Sequence, residues 1–338
     1  MKMRKMVFST ILAALMLAVT LMSVGCGFNN NKPPKDTDGQ IETSPTMGIL
    51  TPPPVFTPSS MSGETPNGNK ESDEPSRSAG VDATEQPSET NIENPGTIML
   101  QGSNGLPQRN TMPTELYGIS TSDCESWFSD CVFVGDSIMI GWKNYNTLMI
   151  EKGNADFFGN TRFFCEGSYG YGHALEPVTE DSLHPMYAGE KHSIEDALLL
   201  MNAKKAFICF GLNDIGIYGV DGTVKNFEEL LRRIYEKNPN IDLYIISAMY
   251  MYKGSEKPKL NNENILMLNI ELAEYCNDNE IPFINIAGEL IDENGFVPDK
   301  YSSDKYVHQT YAAYEVWAEV LRSVAAREIA GMVHPMFK

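Results

Sequence analysis

Gly135-Asp136-Ser137 closes the apolar run CVFVG and opens an amphipathic one, which sets a serine hydroxyl where a strand gives way to a helix. A helix N-terminus offers unpaired backbone N–H groups and the positive end of a dipole, surroundings that suit a Ser oxygen forming an anionic adduct. Alone, the tripeptide reads equally well as a helix cap. Three further groups of residues change that balance. FGLNDIG places Asn213 and Asp214 at the end of another apolar run, where a side-chain amide can donate to an oxyanion or simply close a polar turn. CEGSYGYG supplies closely spaced glycines, fit for a tight turn or for a backbone that approaches a substrate oxygen. SSDKYVHQTY sets Asp304 four residues before His308, ahead of the last amphipathic stretch, where a carboxylate can hold an imidazole. Together these residues comprise a nucleophile, a base, an orienter and oxyanion donors, the parts needed for acyl transfer.

Such parts work only if one scaffold brings them together. Short apolar runs of strand length and β-branched or aromatic content occur at 131–135, 162–166, 206–211, 243–249 and 282–286. Runs with apolar residues at three- and four-residue steps lie at 137–150, 193–203, 224–237, 264–278 and 309–327 and predict helices. Strand alternating with helix implies an α/β fold, a three-layer α/β/α sandwich around a parallel sheet of about five strands. In such sheets ligands bind beyond the carboxyl ends of the strands, which is where the polar motifs stand.

Gly135-Asp136-Ser137-Ile138, Gly211-Leu212-Asn213-Asp214 and Asp304 with His308, in that order and with a glycine block between the first two, make the region from about 130 to 328 resemble the SGNH/GDSL hydrolase superfamily. The resemblance implies a flavodoxin-like sandwich and ester hydrolysis through an acyl-enzyme without a cofactor or metal. Ser137 would be the nucleophile, His308 the base and Asp304 its orienter. The N–H groups of Ser137 and Gly170 and the amide of Asn213 would form the oxyanion hole, with Gly167 the reserve for Gly170. Three features depart from the family pattern: Ile138 stands for Leu, Cys165 takes the place of an Asn before the glycines, and Asp304 precedes the His by four residues rather than three. The usual α/β-hydrolase motif fits less well, because Met139 breaks Gly-x-Ser-x-Gly. A nucleotide-binding flavodoxin-like fold would need a Gly-rich phosphate loop after the first strand. The rival from another class is a non-catalytic glycan- or solute-binding lipoprotein on the same fold.

The rest of the 338-residue chain is of different character. Residues 1–26 comprise a cationic start, the uncharged stretch VFSTILAALMLAVTLMSV and Ser23-Val24-Gly25-Cys26, which resembles a bacterial lipobox with Cys26 as the acylated residue. Residues 27–112 form a tether: 13 of the 20 prolines lie between Gly27 and Pro113, where Phe28 and Phe56 are the only aromatics, a composition that cannot offset ordering entropy by burial. The hydrolase domain then occupies 113–338. These features predict a protein lipid-anchored to the cell membrane and facing outward. Net charge is −19, and no basic, aromatic-interleaved run speaks for nucleic acid. The expected partners are therefore an acylated small molecule or polysaccharide and the membrane. Besides Cys26 there are five cysteines, an odd number; Cys124 and Cys131 could pair outside the cell, whereas Cys165 and Cys209 read as buried thiols. A lipase would call for an exposed apolar lid, which the sequence does not show.

Overall fold

The computed structural model describes residues 100–102, 105–109 and 114–332. The anchor segment with Cys26 and most of the tether lie outside those residues. Five strands form one parallel sheet: β1 (Cys131–Gly135), β2 (Arg162–Cys165), β5 (Lys205–Cys209), β6 (Asp242–Ile246) and β7 (Phe283–Ile284), in the order β2-β1-β5-β6-β7. A two-residue hairpin, β3 (Met186–Tyr187) with β4 (Glu190–Lys191), stands apart from that sheet. β1 and β5 are buried at every position, as strands covered on both faces must be.

The covering helices are α1 (Thr121–Ser126), α2 (Ser137–Glu151), α3 (Tyr171–Ala174), α4 (Ile194–Leu200), α5 (Leu212–Lys237), α6 (Asn262–Asp278) and α7 (Tyr311–Ile329). α2 and α1 pack with α7, while α3, α4 and α6 pack on α5, so the sheet is sandwiched. An aromatic cluster fills the first layer: Trp142 of α2 stacks on Trp317 of α7 at 6.1 Å, and Phe133 of β1 lies 4.9 Å from Phe207 of β5. The chain reverses direction of strand addition between β1 and β5, which opens a crevice at their carboxyl ends.

The layout agrees with the sequence expectation, with local differences. α1 is a short capped turn whose Glu125 accepts from the Arg322 guanidinium of α7, a contact with no periodic signature. α5 begins at Leu212 rather than at 224, because the glycine-broken stretch DIGIYGVDG continues as helix through a kink at Gly219. Packed structure also reaches into the segment read as tether. Leu100 is buried in the core, Gln101 bridges to Pro107, and Pro107 rests on Gly295. Two isolated apolar residues suffice to dock that segment, and a composition average does not register them.

Beyond Ile246 the chain runs past the end of β7, and two asparagines of α6 take over the hydrogen bonding. Asn269, fully buried, accepts from the Ala248 N–H at 2.8 Å and donates to the Ala248 carbonyl at 2.9 Å. Asn262 accepts from the Met251 N–H at 2.7 Å and donates to the Gly295 carbonyl at 2.9 Å. These bonds fix the course of the loop from Tyr250 to Leu260 above the crevice. Asn269→Ala strands two buried backbone groups of Ala248, at about 1–3 kcal/mol each. Urea unfolding should show a loss of about 2 kcal/mol or more; a midpoint within error of the wild type would contradict this account of the loop.

Candidate active site

Ser137 is the first residue of α2. Asp136 caps that helix by accepting from the Ile138 N–H at 2.9 Å, which directs the turn so that the Ser137 side chain faces the crevice at the end of β1. Tyr314 of α7 donates its hydroxyl to the Ile138 carbonyl at 2.8 Å and steadies the same turn from the other side. Ser137 Oγ lies 3.0 Å from His308 Nε2, and His308 Nδ1 lies 2.6 Å from Asp304 Oδ2. Since the carboxylate accepts, Nδ1–H donates to it and Nε2 is the acceptor facing the serine hydroxyl.

The four-residue spacing of Asp304 and His308 is accommodated in a compact turn. Lys305 adopts a left-handed conformation, φ 55°, and its N–H donates to Ser302 Oγ at 2.9 Å. Asp304 Oδ1 accepts from the Tyr306 N–H at 2.8 Å and the His308 N–H at 3.2 Å, which leaves Oδ2 for the imidazole. The Asp and His side chains are 34 and 46% exposed, so this half of the site meets solvent.

The remaining residues arrive from β2 and β5. Gly211, at φ +126°, turns the chain out of β5 in a backbone conformation closed to other residues, and α5 starts with Asn213 and Asp214 in its first turn. Asn213 Nδ2 donates to the Tyr169 carbonyl at 2.9 Å and to Asp136 Oδ2 at 3.1 Å. The Tyr169 carbonyl can only accept, so the amide nitrogen must face it. Asp214 accepts from the N–H groups of Tyr171 at 3.1 Å and Gly172 at 2.8 Å, which draws in the loop carrying Gly170; a Cβ at Gly170 would meet the Asp214 carboxylate at 2.4 Å. Among the described residues the N–H groups of Ser137 and Gly170 have no hydrogen-bond partner. Gly167, the alternative, donates to its neighbour Glu166 at 3.0 Å and has open space where a Cβ would be.

The structure thus brings Ser137, His308 and Asp304 into one hydrogen-bonded chain and sets Gly170 and Asn213 beside it. The sequence of the GDSL-like lipase/acylhydrolase family matches residues 133–316, which contain every one of these residues. The chain belongs to that family. No curated protein matches it. Among solved structures it is similar to a GDSL-like lipase from Bacteroides thetaiotaomicron VPI-5482, at 17% identity over 64% of this chain and 95% of the other, TM-score 0.46. A lipase/acylhydrolase from Enterococcus faecalis is 15% identical over 60 and 95%, TM-score 0.41. An acetylxylan esterase from Geobacillus stearothermophilus, solved as a catalytic mutant, is 12% identical over 57 and 93%, TM-score 0.40.

The GDSL aspartate has a role that motif reading did not assign. Asp136 is buried, and it is desolvation that pushes its carboxyl up to about 7, with the Asp214 charge adding to the rise and the Ile138 N–H and His308 opposing it. Burial raises Asp214 as well. The signal available in sequence was the pair of acids beside Ser137 and Asn213; their meeting across 78 residues was not legible there. Cys124 and Cys131, whose pairing the sequence leaves open, are buried free thiols, and burial pushes both up. Among the described residues no group of three or more His, Cys, Asp or Glu side chains is placed to hold a metal. No helix of the described residues is long and apolar enough to cross a membrane.

Folding is linked to the Asp136 proton. The folded state keeps it up to about pH 7, whereas an unfolded chain releases it near about pH 3.9. Between those values the native state binds more protons, so its stability falls as pH rises. The contribution is complete below about pH 4 and lost as pH passes about 7. Asp136→Asn does not titrate, so its urea midpoint should decline less from pH 4 to 8 than that of the wild type. Parallel midpoint curves would exclude Asp136 as the source.

Proposed function

We propose that this GDSL-family chain is an extracytoplasmic serine esterase that removes O-acyl groups, O-acetyl foremost, from cell-wall or extracellular carbohydrate by way of an acyl-enzyme. The observation that carries the reading is the hydrogen-bonded chain Ser137–His308–Asp304 set at the crevice where the strand order reverses. Ser137 Oγ attacks the acyl carbonyl as His308 Nε2 takes its proton, and Asp304 stabilises the imidazolium through Nδ1. The oxyanion is received by the N–H groups of Ser137 and Gly170 and by the Asn213 amide, donors already held in place before charge develops. His308 then returns the proton to the leaving alcohol, and water repeats the cycle in reverse to free the acid and Ser137.

Carbohydrate rather than lipid suits the surroundings. Exposed Val178, Leu183 and Met186 on the segment between α3 and α4 are scattered among Glu176, Glu180, Asp181 and Glu190, and form no continuous apolar lid. Attachment through Cys26, with residues 27 onward as spacer, would hold the domain at the cell surface within reach of such polymers. We accordingly expect palmitate to label the wild-type protein in growing cells and not Cys26→Ala; labelling of both would remove Cys26 as the anchor.

A fluorophosphonate probe and a short-chain nitrophenyl ester test the chemistry. The wild type should be labelled and should turn over the ester. Ser137→Ala should do neither, while its unfolding free energy changes by about 1 kcal/mol or less, since one small residue at a helix start replaces another. Equal activity in both proteins would refute the mechanism. An inert but folded wild type would favour the non-catalytic binding protein.

A further inference from the structure

The loops beside His308 carry a charge opposite to that of the chain. In a protein of net charge −19, the segments 252–260 and 299–308 hold five lysines, Lys253, Lys257, Lys259, Lys300 and Lys305, against three acids, Glu256, Asp299 and Asp304. All five lysines are exposed, and none forms an ion pair among the described residues. The three acids are engaged from within the fold. Asp304 accepts from Tyr306, His308 and the imidazole, Asp299 accepts from the Tyr252 hydroxyl at 2.7 Å, and Glu256 accepts from the Asn262 N–H at 2.8 Å.

Several ammonium groups rest instead on tyrosine faces. Lys257 lies 5.9 Å from the ring of Tyr306, Lys305 lies 6.0 Å from that of Tyr252, and Lys300 lies 4.2 Å from that of Tyr301. The two segments are joined where the Tyr252 N–H donates to the Tyr306 carbonyl at 2.9 Å, two residues from His308. Lys259 reaches the Ile217 carbonyl at 3.4 Å, one turn along α5 from Asn213. The rim therefore spans from the base to the oxyanion side of the site. Exposed ammonium–ring contacts are worth only about 0.5–1 kcal/mol, so an arriving carboxylate or phosphate, which makes charge-assisted hydrogen bonds, displaces them readily.

We propose that this lysine and tyrosine rim binds the anionic part of the substrate, so that the esters cleaved are those on glycans bearing carboxylate or phosphate groups. The inference rests on the esterase reading and adds the substrate class. The half-buried faces of Tyr252 and Tyr306 supply apolar surface for sugar rings, and the lysines pair with the acid groups. The chain's overall negative field does not forbid it. At physiological salt the Debye length is about 8 Å, so a polyanion in contact with the rim meets its lysines while more distant acids are screened.

The test compares acetylated polygalacturonate and an acetylated phosphodiester-linked glycan with acetylated glucomannan, which is neutral, on the full chain. Wild type should favour one or both anionic polymers over the neutral one by about tenfold or more in kcat/KM, the size expected for a few exposed charge pairs. Which of the two is preferred identifies the anion. The preference should shrink between 0.05 and 0.5 M NaCl. In the double variant Lys257→Glu with Lys305→Glu the anionic-to-neutral ratio should collapse, and in Lys257→Arg with Lys305→Arg it should be retained, with thermal unfolding confirming that both pairs are folded. Equal rates on charged and neutral polymers, or a ratio untouched by charge reversal, would overturn the proposal. Turnover of the nitrophenyl ester with cleavage of none of the glycans would overturn it while leaving the esterase reading intact. Failure of both the nitrophenyl ester and fluorophosphonate labelling would remove the esterase reading, and the proposal with it.

Discussion

Three segments of the chain are tied together by two side chains, the buried Asp136 and the Asn213 amide. Asp136 Oδ1 receives the Ile138 N–H and so sets the turn that presents Ser137; its Oδ2 receives the Asn213 amide, whose second proton goes to the Tyr169 carbonyl just ahead of Gly170. The ends of β1, β2 and β5 are thereby tied through Asp136 and Asn213. Asp214, next to Asn213, repeats the device by gathering the N–H groups of Tyr171 and Gly172. Burial strips both acids of water, a cost that is the chief cause of their raised pKa values, and the Asp214 charge adds to the rise at Asp136. The aromatic core beneath must offset that cost, and a disturbance of Trp142, Tyr314 or Trp317 would reach the nucleophile through the bond between Tyr314 and Ile138.

The half of the site around His308 and Asp304 is built by different means. His308 and Asp304 are partly exposed and held by one local turn, in which Lys305 takes a left-handed conformation so that an extra residue fits between the two. That turn leads directly into α7, the helix that also carries Tyr314. Ser137 is thus positioned by the sheet and His308 by a loop, and α7 is the mechanical link between them.

The substrate-facing loops depend in turn on α6. Where β6 outruns β7, Asn269 and Asn262 substitute side-chain amides for a missing strand and hold Ala248 and Met251 in place. This sets the root of the segment that carries Lys253, Lys257 and Lys259. The 252–260 half of the rim and Ser137 are thus positioned by separate elements, whereas Lys305 shares the turn that holds Asp304 and His308.

Local pattern alone determined a good deal. Apolar runs placed the five strands, because strands buried on both faces need apolar residues throughout, and short polar motifs singled out Ser137 and Asn213 after strand ends, and Asp304 with His308 ahead of the last helix, as candidates to share a crevice. The short helices α1 and α3, the β3–β4 hairpin and the docking of Leu100 left no periodic trace, since each is too short to show a repeating apolar face. Proximity of groups far apart in the chain was decided only by folding. Asp136 and Asn213 are 77 residues apart and meet at 3.1 Å, and the desolvation that raises Asp136 exists only once the core has closed over it. Residue type and spacing specify what chemistry is possible, whereas burial, charge and hydrogen-bond partners are properties of the packed state, because they depend on which segments come to lie side by side.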